Sequence, residues 1–299
     1  MLGDWCYFAA AAAYVVAMLV HAVDLVIGDR VAVGAARAVV AAAVGGPAPD
    51  VTRPVGLRLG RMAAYVTVAG AGLHAASIVL RAIATGRWPL ANMYEFTAVI
   101  TFAMVVTWLV RLRRRPQLSR IGVFVLAPVS VLVFLGGTAL HVAAGPVMPA
   151  LRSPWLAVHV TTVALSSGVL LLAGLASAAV VAARSDRVPR IVGALPPADE
   201  LDRLAYRLTA VAFPVFTFAI VAGGIWAESA WGRFWGWDPK ETVAFISWVV
   251  YAAYLHARAT AGWRTRGAAW INVAAGATVV VNLFVVNLVV AGLHSYAGY

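Results

Sequence analysis

Long apolar stretches alternate with short polar connections along the whole chain. Each stretch is long enough to cross a bilayer, which takes about 20 residues in a helix. Backbone polar groups in lipid must be hydrogen-bonded within their own segment, so these stretches are predicted to be helices. The predicted spans are Trp5–Ile27, Gly60–Ala84, Tyr94–Val110, Ile121–Val142, Trp155–Ala183, Tyr206–Trp226, Glu241–His256 and Ala268–Leu293.

The composition supports an all-α polytopic membrane protein with about eight transmembrane helices. Hydrophobic residues make up 63% of the 299 residues and charged residues only 12%. A soluble domain has roughly half apolar and a quarter charged residues. A transmembrane barrel would instead show short segments of alternating hydrophobicity, and none is evident.

The basic residues are concentrated in every second connection. The connections after spans one, three, five and seven hold 18 of the 23 lysines and arginines. Basic connections stay on the inner side of a membrane, which predicts that both termini and the loop between spans six and seven are outside. The net charge of +11 then reflects topology and contact with anionic lipids, and no nucleic-acid partner is predicted.

Residues 1–59 are predicted to form the first transmembrane helix and a cytoplasmic linker, and residues 60–299 a single membrane domain. The segment Val31–Val44 is apolar but too short and interrupted to span, and Pro47, Pro49 and Pro54 follow it. This pattern favours an interfacial or disordered linker.

The single cysteine, Cys6, excludes several chemistries. One thiol forms neither an internal disulfide nor a Cys-x-x-Cys redox pair, and it cannot build a cysteine-based zinc site. Without a Cys-x-x-Cys-His motif, the chain is not itself a c-type cytochrome. Asp4 and the lack of a basic N-terminal region argue against a cleaved signal peptide.

The loop between spans six and seven is rich in tryptophan. Trp231, Trp235 and Trp237 fall within seven residues, next to Gly232 and Gly236. Tryptophan is common at membrane interfaces, but an aromatic belt does not need three so close together. Flat aromatic faces stack on a planar macrocycle, and glycines let the backbone approach it closely. The loop is therefore predicted to be a haem platform.

Charged residues of the same loop complete the predicted platform. Asp238 resembles a helix N-cap followed by proline at the first helical position, with Glu241 two residues further on. This start would hold the loop against the membrane surface. Arg233 and Lys240 are candidates for pairing with the haem propionates.

The six histidines fall at three depths. His159, His294 and His141 lie near the outer ends of spans five, eight and four, on the side of the tryptophan loop. His256 lies near the inner end of span seven. Imidazole is a common axial ligand of haem iron, although a single membrane histidine is often only a packing residue. The remaining two are His74, in the middle of span two, and His21, towards the inner end of span one.

The chain from about Leu73 to its C-terminus resembles the CcsA/ResC family of cytochrome c maturation proteins, called CcsB in some actinobacterial naming. These proteins belong to a wider group of haem handlers with a tryptophan-rich WWD domain, which the resemblance assigns to residues 60–299. The segments that carry the resemblance are Gly86–Glu95, Trp226–Glu241, Tyr254–His256, Gly262–Arg264 and Gly292–Tyr296. Ala91 and Met93 depart mildly from the family pattern.

The resemblance implies a role for three of the histidines. His159 and His294 match two external histidines that flank the tryptophan domain and ligate haem. His256 matches a transmembrane histidine that holds haem within the bilayer. Its second ligand would come from another polypeptide, a membrane partner of the ResB/CcsB type. His21, His74 and His141 have no clear counterpart and are treated as structural.

The resemblance implies delivery of haem b, as a substrate in transit, to the outer face of a bacterial cell membrane. There, as one subunit of a cytochrome c synthase, the protein would attach haem to the Cys-x-x-Cys-His motif of apocytochrome c. The histidine of that motif would replace one of the two axial histidines at the haem iron. The sequence offers no catalytic acid or base. A haem exporter or chaperone without ligation activity remains an alternative. A quinol-oxidising cytochrome b subunit would need two histidine pairs within its spans, and a secondary transporter would show internal repeats.

Overall fold

The structure is a computed structural model that describes residues 2–43, 55–143, 145, 153–185, 195–260, 263 and 266–294. Side chains are described for all of these residues except 27–43 and 55–58. Within these ranges the chain is helical and contains no strand. The eight long α-helices are α1 (Leu2–Ala43), α2 (Val55–Thr85), α3 (Met93–Arg114), α4 (Gly122–Thr138), α5 (Pro154–Ala183), α6 (Ala198–Trp231), α7 (Pro239–Ala259) and α8 (Arg266–Val280). A 3₁₀ turn (Pro116–Ile121) follows α3, and a π-helical segment (Val281–Val285) and a short α-helix (Val286–Val289) continue α8.

The prediction of an all-α polytopic membrane protein is confirmed. Among the described residues, seven helical segments are long and apolar enough to cross a membrane, one for each predicted span except the seventh. That span corresponds to α7, whose 21 residues are sufficient in length. Because it carries tryptophan, tyrosine, histidine and arginine side chains, α7 contains no stretch as apolar as those of the other seven spans.

Two helices are longer than the apolar pattern predicted. Helix α1 continues to Ala43, through most of the segment predicted to be interfacial or disordered. That segment is rich in alanine, the strongest helix former, and the prolines come only after it. Residues 44–54 of the predicted linker lie outside the described residues. Helix α6 begins at Ala198, eight residues before the predicted span.

Helix α5 lies at the centre of the second half of the bundle, in contact with α3, α6 and α8. Small residues allow this packing, as is common between membrane helices. A Cβ atom at Gly168 would lie 2.6 Å from the carbonyl oxygen of Ile100 in α3. Between α5 and α8, Asn272 donates a hydrogen bond to the Ser177 hydroxyl over 2.8 Å.

The start of α3 is fixed by Glu95, which is buried. Its carboxylate accepts hydrogen bonds from Arg81 at 3.0 Å and from Arg87 at 2.8 and 2.9 Å. Asn92 caps the helix by accepting from the backbone N–H of Glu95. Because Arg81 also donates to the carbonyl of Val142, this cluster joins the α2–α3 connection to the chain after α4.

Candidate functional site

The tryptophan loop folds around one carboxylate. Helix α6 ends at Trp231, and its C-cap is Gly232, whose φ of 68° is left-handed. Beyond it, Glu241 accepts hydrogen bonds from the Arg233 guanidinium at 3.0 Å, the Gly236 backbone at 2.9 Å and the Asp238 backbone at 3.2 Å. Trp237 has a φ of 57°, the one positive φ at a non-glycine position among the described residues. Such a conformation persists only where surrounding contacts impose it.

A cavity of about 730 Å³ lies beneath this loop, between α5, α6, α7 and α8. We call it the loop cavity. Its polar side chains are those of His159, Ser167, Lys240, Glu241, Ser247, Asn282 and His294. Its aromatic side chains are those of Phe216, Trp226, Trp231, Phe234 and Trp235.

His159 reaches the loop cavity from α5 and is oriented by α6. Its Nδ1 lies 2.7 Å from the carbonyl oxygen of Ala219, which can only accept, so Nδ1 carries the proton and donates. The imidazole stacks on Trp226 with a centroid distance of 6.1 Å. A Cβ atom at Gly223 would lie 2.6 Å from the ring, so only glycine leaves room for it. In the neutral ring, Nε2 is then unprotonated, as a metal ligand requires.

His294 reaches the same cavity from the chain after α8. Its Nδ1 lies 2.8 Å from Oδ2 of Asp238. Oδ1 of the same carboxylate accepts from the backbone N–H of Leu293 over 2.8 Å. A carboxylate accepts, so Nδ1 of His294 donates and its Nε2 is also left as the acceptor. A histidine that donates its other N–H to a carboxylate or carbonyl is the usual arrangement of a metal-ligating imidazole.

The two histidines flank one indole. Trp226 lies 6.1 Å from the ring of His159 and 6.0 Å from that of His294, measured between centroids. Trp231 lies edge-on to His294 at 5.0 Å. Two imidazoles of the same tautomer thus meet at one aromatic wall of the loop cavity.

Burial and neighbouring charges favour the neutral form of His294 and the charged form of Asp238. Burial, assisted by Lys240, lowers the pKa of His294, although Asp238 opposes the shift. Burial alone would raise the pKa of Asp238, but the hydrogen bonds from Leu293 and His294 outweigh it and leave that pKa lowered. Burial also lowers the pKa of Lys240 to about 8.

A second cavity of about 550 Å³ lies on the other side of the histidines. It shares Val163 and four functional side chains with the loop cavity, namely His159, Trp226, Lys240 and His294. Its remaining walls come from the start of α3 and its preceding turn, residues 90–93 with Phe96, and from Leu156 and Val160 of α5. The histidine pair is therefore accessible from two spaces.

The loop residues predicted to bind haem are divided between the cavity and the loop itself. Trp231 and Trp235 line the loop cavity, whereas Trp237 is 64% exposed and packs edge-on against Phe245 outside it. Arg233 is held by Glu241 and lies over the Trp231 ring.

The two remaining charged residues of the predicted site, Lys240 and Asp238, differ in whether they line a cavity. Lys240 lines both cavities and donates a hydrogen bond to Asn287 over 2.6 Å. Asp238 does not line the loop cavity and acts through His294, which it holds.

The other four histidines lie away from both cavities. His256 is exposed, about 23 Å along α7 from Glu241 by the helical rise. His74 is buried, with Nδ1 3.2 Å from the Tyr14 hydroxyl. His21 is buried against Trp108, and His141 is exposed with Nε2 3.4 Å from Asp4.

Two cavity residues were not singled out from the sequence. Trp226 belongs to α6 and not to the loop, yet it is the indole that both histidines contact. Asn282 lies in a π-helical segment, Val281–Val285, that continues α8, and its Oδ1 is buried without a partner among the described residues. π-Helical turns are frequent at functional sites, but no residue pattern in the sequence marks this one.

A family model for the cytochrome C assembly protein matches residues 90–294. The chain belongs to this family. Every residue that lines either cavity lies within the matched region.

Relatives extend the similarity beyond the matched region. The protein named cytochrome c biogenesis protein CcsA from Synechococcus sp. (strain CC9605) is 34% identical over 271 residues, 81% of this chain and 88% of that protein. CcsA of Synechococcus sp. (strain RCC307) is 34% identical over 80% of this chain and 86% of its own length. CcsA of Parasynechococcus marenigrum (strain WH8102) is 35% identical over 76% and 83%, respectively.

Proposed function

We propose that this protein acts in cytochrome c maturation by holding haem b, its substrate, in the loop cavity and presenting it for covalent attachment to apocytochrome c. One observation carries the proposal. His159 and His294 line the same cavity, and each donates its Nδ1–H to a fixed oxygen, which leaves Nε2 of both rings to ligate iron.

The remaining walls of the cavity fit the same substrate. Trp226, Trp231 and Trp235 offer flat apolar surfaces to a macrocycle. Lys240 is the cation best positioned for a propionate, because Arg233 is already paired with Glu241. The buried Oδ1 of Asn282 supplies a further polar contact in a mainly apolar space.

Attachment requires each cysteine thiol of apocytochrome c to add across a haem vinyl group. The sulfur forms a bond to one vinyl carbon and the thiol hydrogen goes to the other. This chain contributes positioning, which in favourable cases supplies ~7–11 kcal/mol of barrier reduction. The acids nearest the cavity are engaged elsewhere, Asp238 with His294 and Glu241 with Arg233.

His256 is proposed as a second haem contact, shared with a membrane partner of the ResB/CcsB type. His256 is exposed on α7, away from both cavities. This exposure supports a haem site in which a second polypeptide supplies the other iron ligand. The alternation of basic connections supports an orientation in which the tryptophan loop faces outwards and His256 lies near the inner side.

Alanine variants of the two cavity histidines test haem binding. The full-length chain is purified with its partner, and haem absorbance is recorded for wild type, His159→Ala, His294→Ala and His141→Ala. We expect haem at the loop cavity to be absent in the first two variants and kept in the third, whose histidine lies at the same end outside the cavity. A wild type without haem, or an equal decrease in all three, would refute the proposal.

Attachment is tested separately from binding. A reporter apocytochrome is coexpressed with the chain and its partner, and acid-stable haem on the reporter is measured. Covalent haem that depends on His159 and His294 supports a synthase subunit. Normal haem binding without covalent product would instead identify a haem exporter or chaperone.

A further inference from the structure

A second charged cavity lies at the opposite end of the bundle from the tryptophan loop. It has a volume of about 840 Å³ and is formed by the end of α3, the following 3₁₀ turn and the start of α6. We call it the arginine cavity. Its lining residues are Arg111, Arg114, Arg115, Leu118, Glu200, Arg203, Leu204 and Arg207.

The five arginines of this cavity are not neutralised by the acids beside them. Asp199 pairs with Arg184 at 3.0 Å, and Asp202 pairs with Arg258 at 3.0 Å. Glu200 lines the cavity, where its carboxylate accepts from the Gln117 amide at 2.8 Å and offsets one of the five positive charges. Within the described residues, none of the five forms an ion pair, so the cavity holds a large excess of positive charge.

Membrane topology alone does not require this arrangement. An inner connection needs basic residues, but it does not need them to converge on one space. Arg111 and Arg114 both lie in the last turn of α3, and Arg203 and Arg207 are four residues apart on α6. Like charges at this spacing repel one another and destabilise a helix. An anion bound between the two helices would turn this repulsion into attraction.

The chemistry of the lining identifies the class of anion. Guanidinium groups bind phosphate through paired hydrogen bonds. The cavity lies where two spans end, at the depth of lipid headgroups, and basic pockets between membrane helices bind anionic headgroups. Its lining contains two leucines and no aromatic or histidine side chain, so it does not suit a haem ring. We propose that the arginine cavity binds the phosphate headgroup of an anionic phospholipid.

The test compares two matched double variants of the full-length protein. R114Q/R207Q removes two cavity arginines, whereas R113Q/R120Q removes two arginines at the same end that do not line the cavity. Native mass spectrometry at low ionic strength measures retention of phosphatidylglycerol and phosphatidylcholine. Haem absorbance serves as the check on folding, and lipid retention is read independently of it.

We expect wild type and R113Q/R120Q to retain phosphatidylglycerol in preference to phosphatidylcholine. R114Q/R207Q should bind phosphatidylglycerol roughly tenfold more weakly for each arginine removed. The single variant R207Q should shift in the same direction and replaces the double variant if that protein does not accumulate. No preference in wild type, or an equal decrease in both double variants, overturns the proposal. Inorganic phosphate that displaces the lipid at equal concentration would show that the site takes free phosphate instead.

Discussion

Replacing Asp238 by asparagine tests whether the Asp238 carboxylate sets the tautomer of His294. The carboxylate uses one oxygen for His294 and the other for the backbone of Leu293. An amide of the same shape has one oxygen and one NH₂ group, so it can satisfy only one of these donors. If the amide oxygen stays on Leu293, the NH₂ group faces Nδ1 of His294 and the imidazole must change tautomer. Its proton then moves to Nε2, the atom proposed to bind iron.

The magnitude follows from the hydrogen bond between Asp238 and His294, which the substitution removes. Changing a group that orients a metal-ligating histidine typically costs 10–100-fold in metal affinity. This corresponds to about 1.4–2.7 kcal/mol. The fold itself should tolerate the change, because the Asp238 side chain is the N-cap of α7, asparagine caps a helix as well as aspartate does, and Glu241 still accepts from the backbone of residue 238.

The assay is a haem titration of the purified protein, followed by absorbance, for wild type and Asp238→Asn. The matched control is Asp4→Asn, since the Asp4 carboxylate lies 3.4 Å from Nε2 of His141 at the same end of the bundle but outside the cavity. We expect weakened haem binding in the first variant only. Unchanged affinity in Asp238→Asn, or an equal decrease in Asp4→Asn, would refute this account of His294.

Two further predictions concern the same site. Gly223→Ala places a methyl group 2.6 Å from the His159 ring and should weaken haem binding in the same titration. Gly72→Ala is the control, because a Cβ atom there meets nothing within 4 Å, and it should leave haem binding unchanged. Equal effects of the two substitutions would contradict the packing argument. Burial and, after it, Lys240 lower the pKa of His294, so its neutral form persists below the usual pKa of about 6.5. Haem binding should therefore survive a fall in pH through that value and should be lost only at lower pH. Lys240→Gln removes a charge that opposes protonation, so binding should fade at a higher pH than in wild type, and a pH titration showing no shift would contradict this assignment.

The apolar pattern predicted the helices well because each span must satisfy its backbone within lipid, whatever its neighbours are. It was least informative for α7, whose Lys240, Glu241 and Ser247 line the loop cavity and whose Tyr251 and Tyr254 are buried inside the bundle. The helical extension of α1 to Ala43 follows from local propensity, which hydropathy does not measure.

Side-chain direction within the loop was not predictable from composition. Trp237 differs from Trp231 and Trp235 because a left-handed backbone turns it out of the cavity. Arg233 was predicted from the sequence to pair with an anionic ligand, and the fold brings Glu241 within 3.0 Å of it, a contact that the sequence does not indicate. Trp226 carries no local signal that separates it from an ordinary interfacial tryptophan. These outcomes depend on contacts between segments that the sequence alone does not place together.

The two histidines of the loop cavity are held with different rigidity, and this difference bears on how haem would leave. His159 lies in the regular helix α5 and donates to a backbone oxygen of α6, so moving its ring disturbs two packed helices. His294 lies in irregular chain after α8 and is oriented by the Asp238 side chain. If one ligand yields to the histidine of apocytochrome c, His294 is the less costly to displace. Under the proposed function, Asp238 would orient His294 for haem and would stay in place to accept the Nδ1–H of His294 again after haem has left.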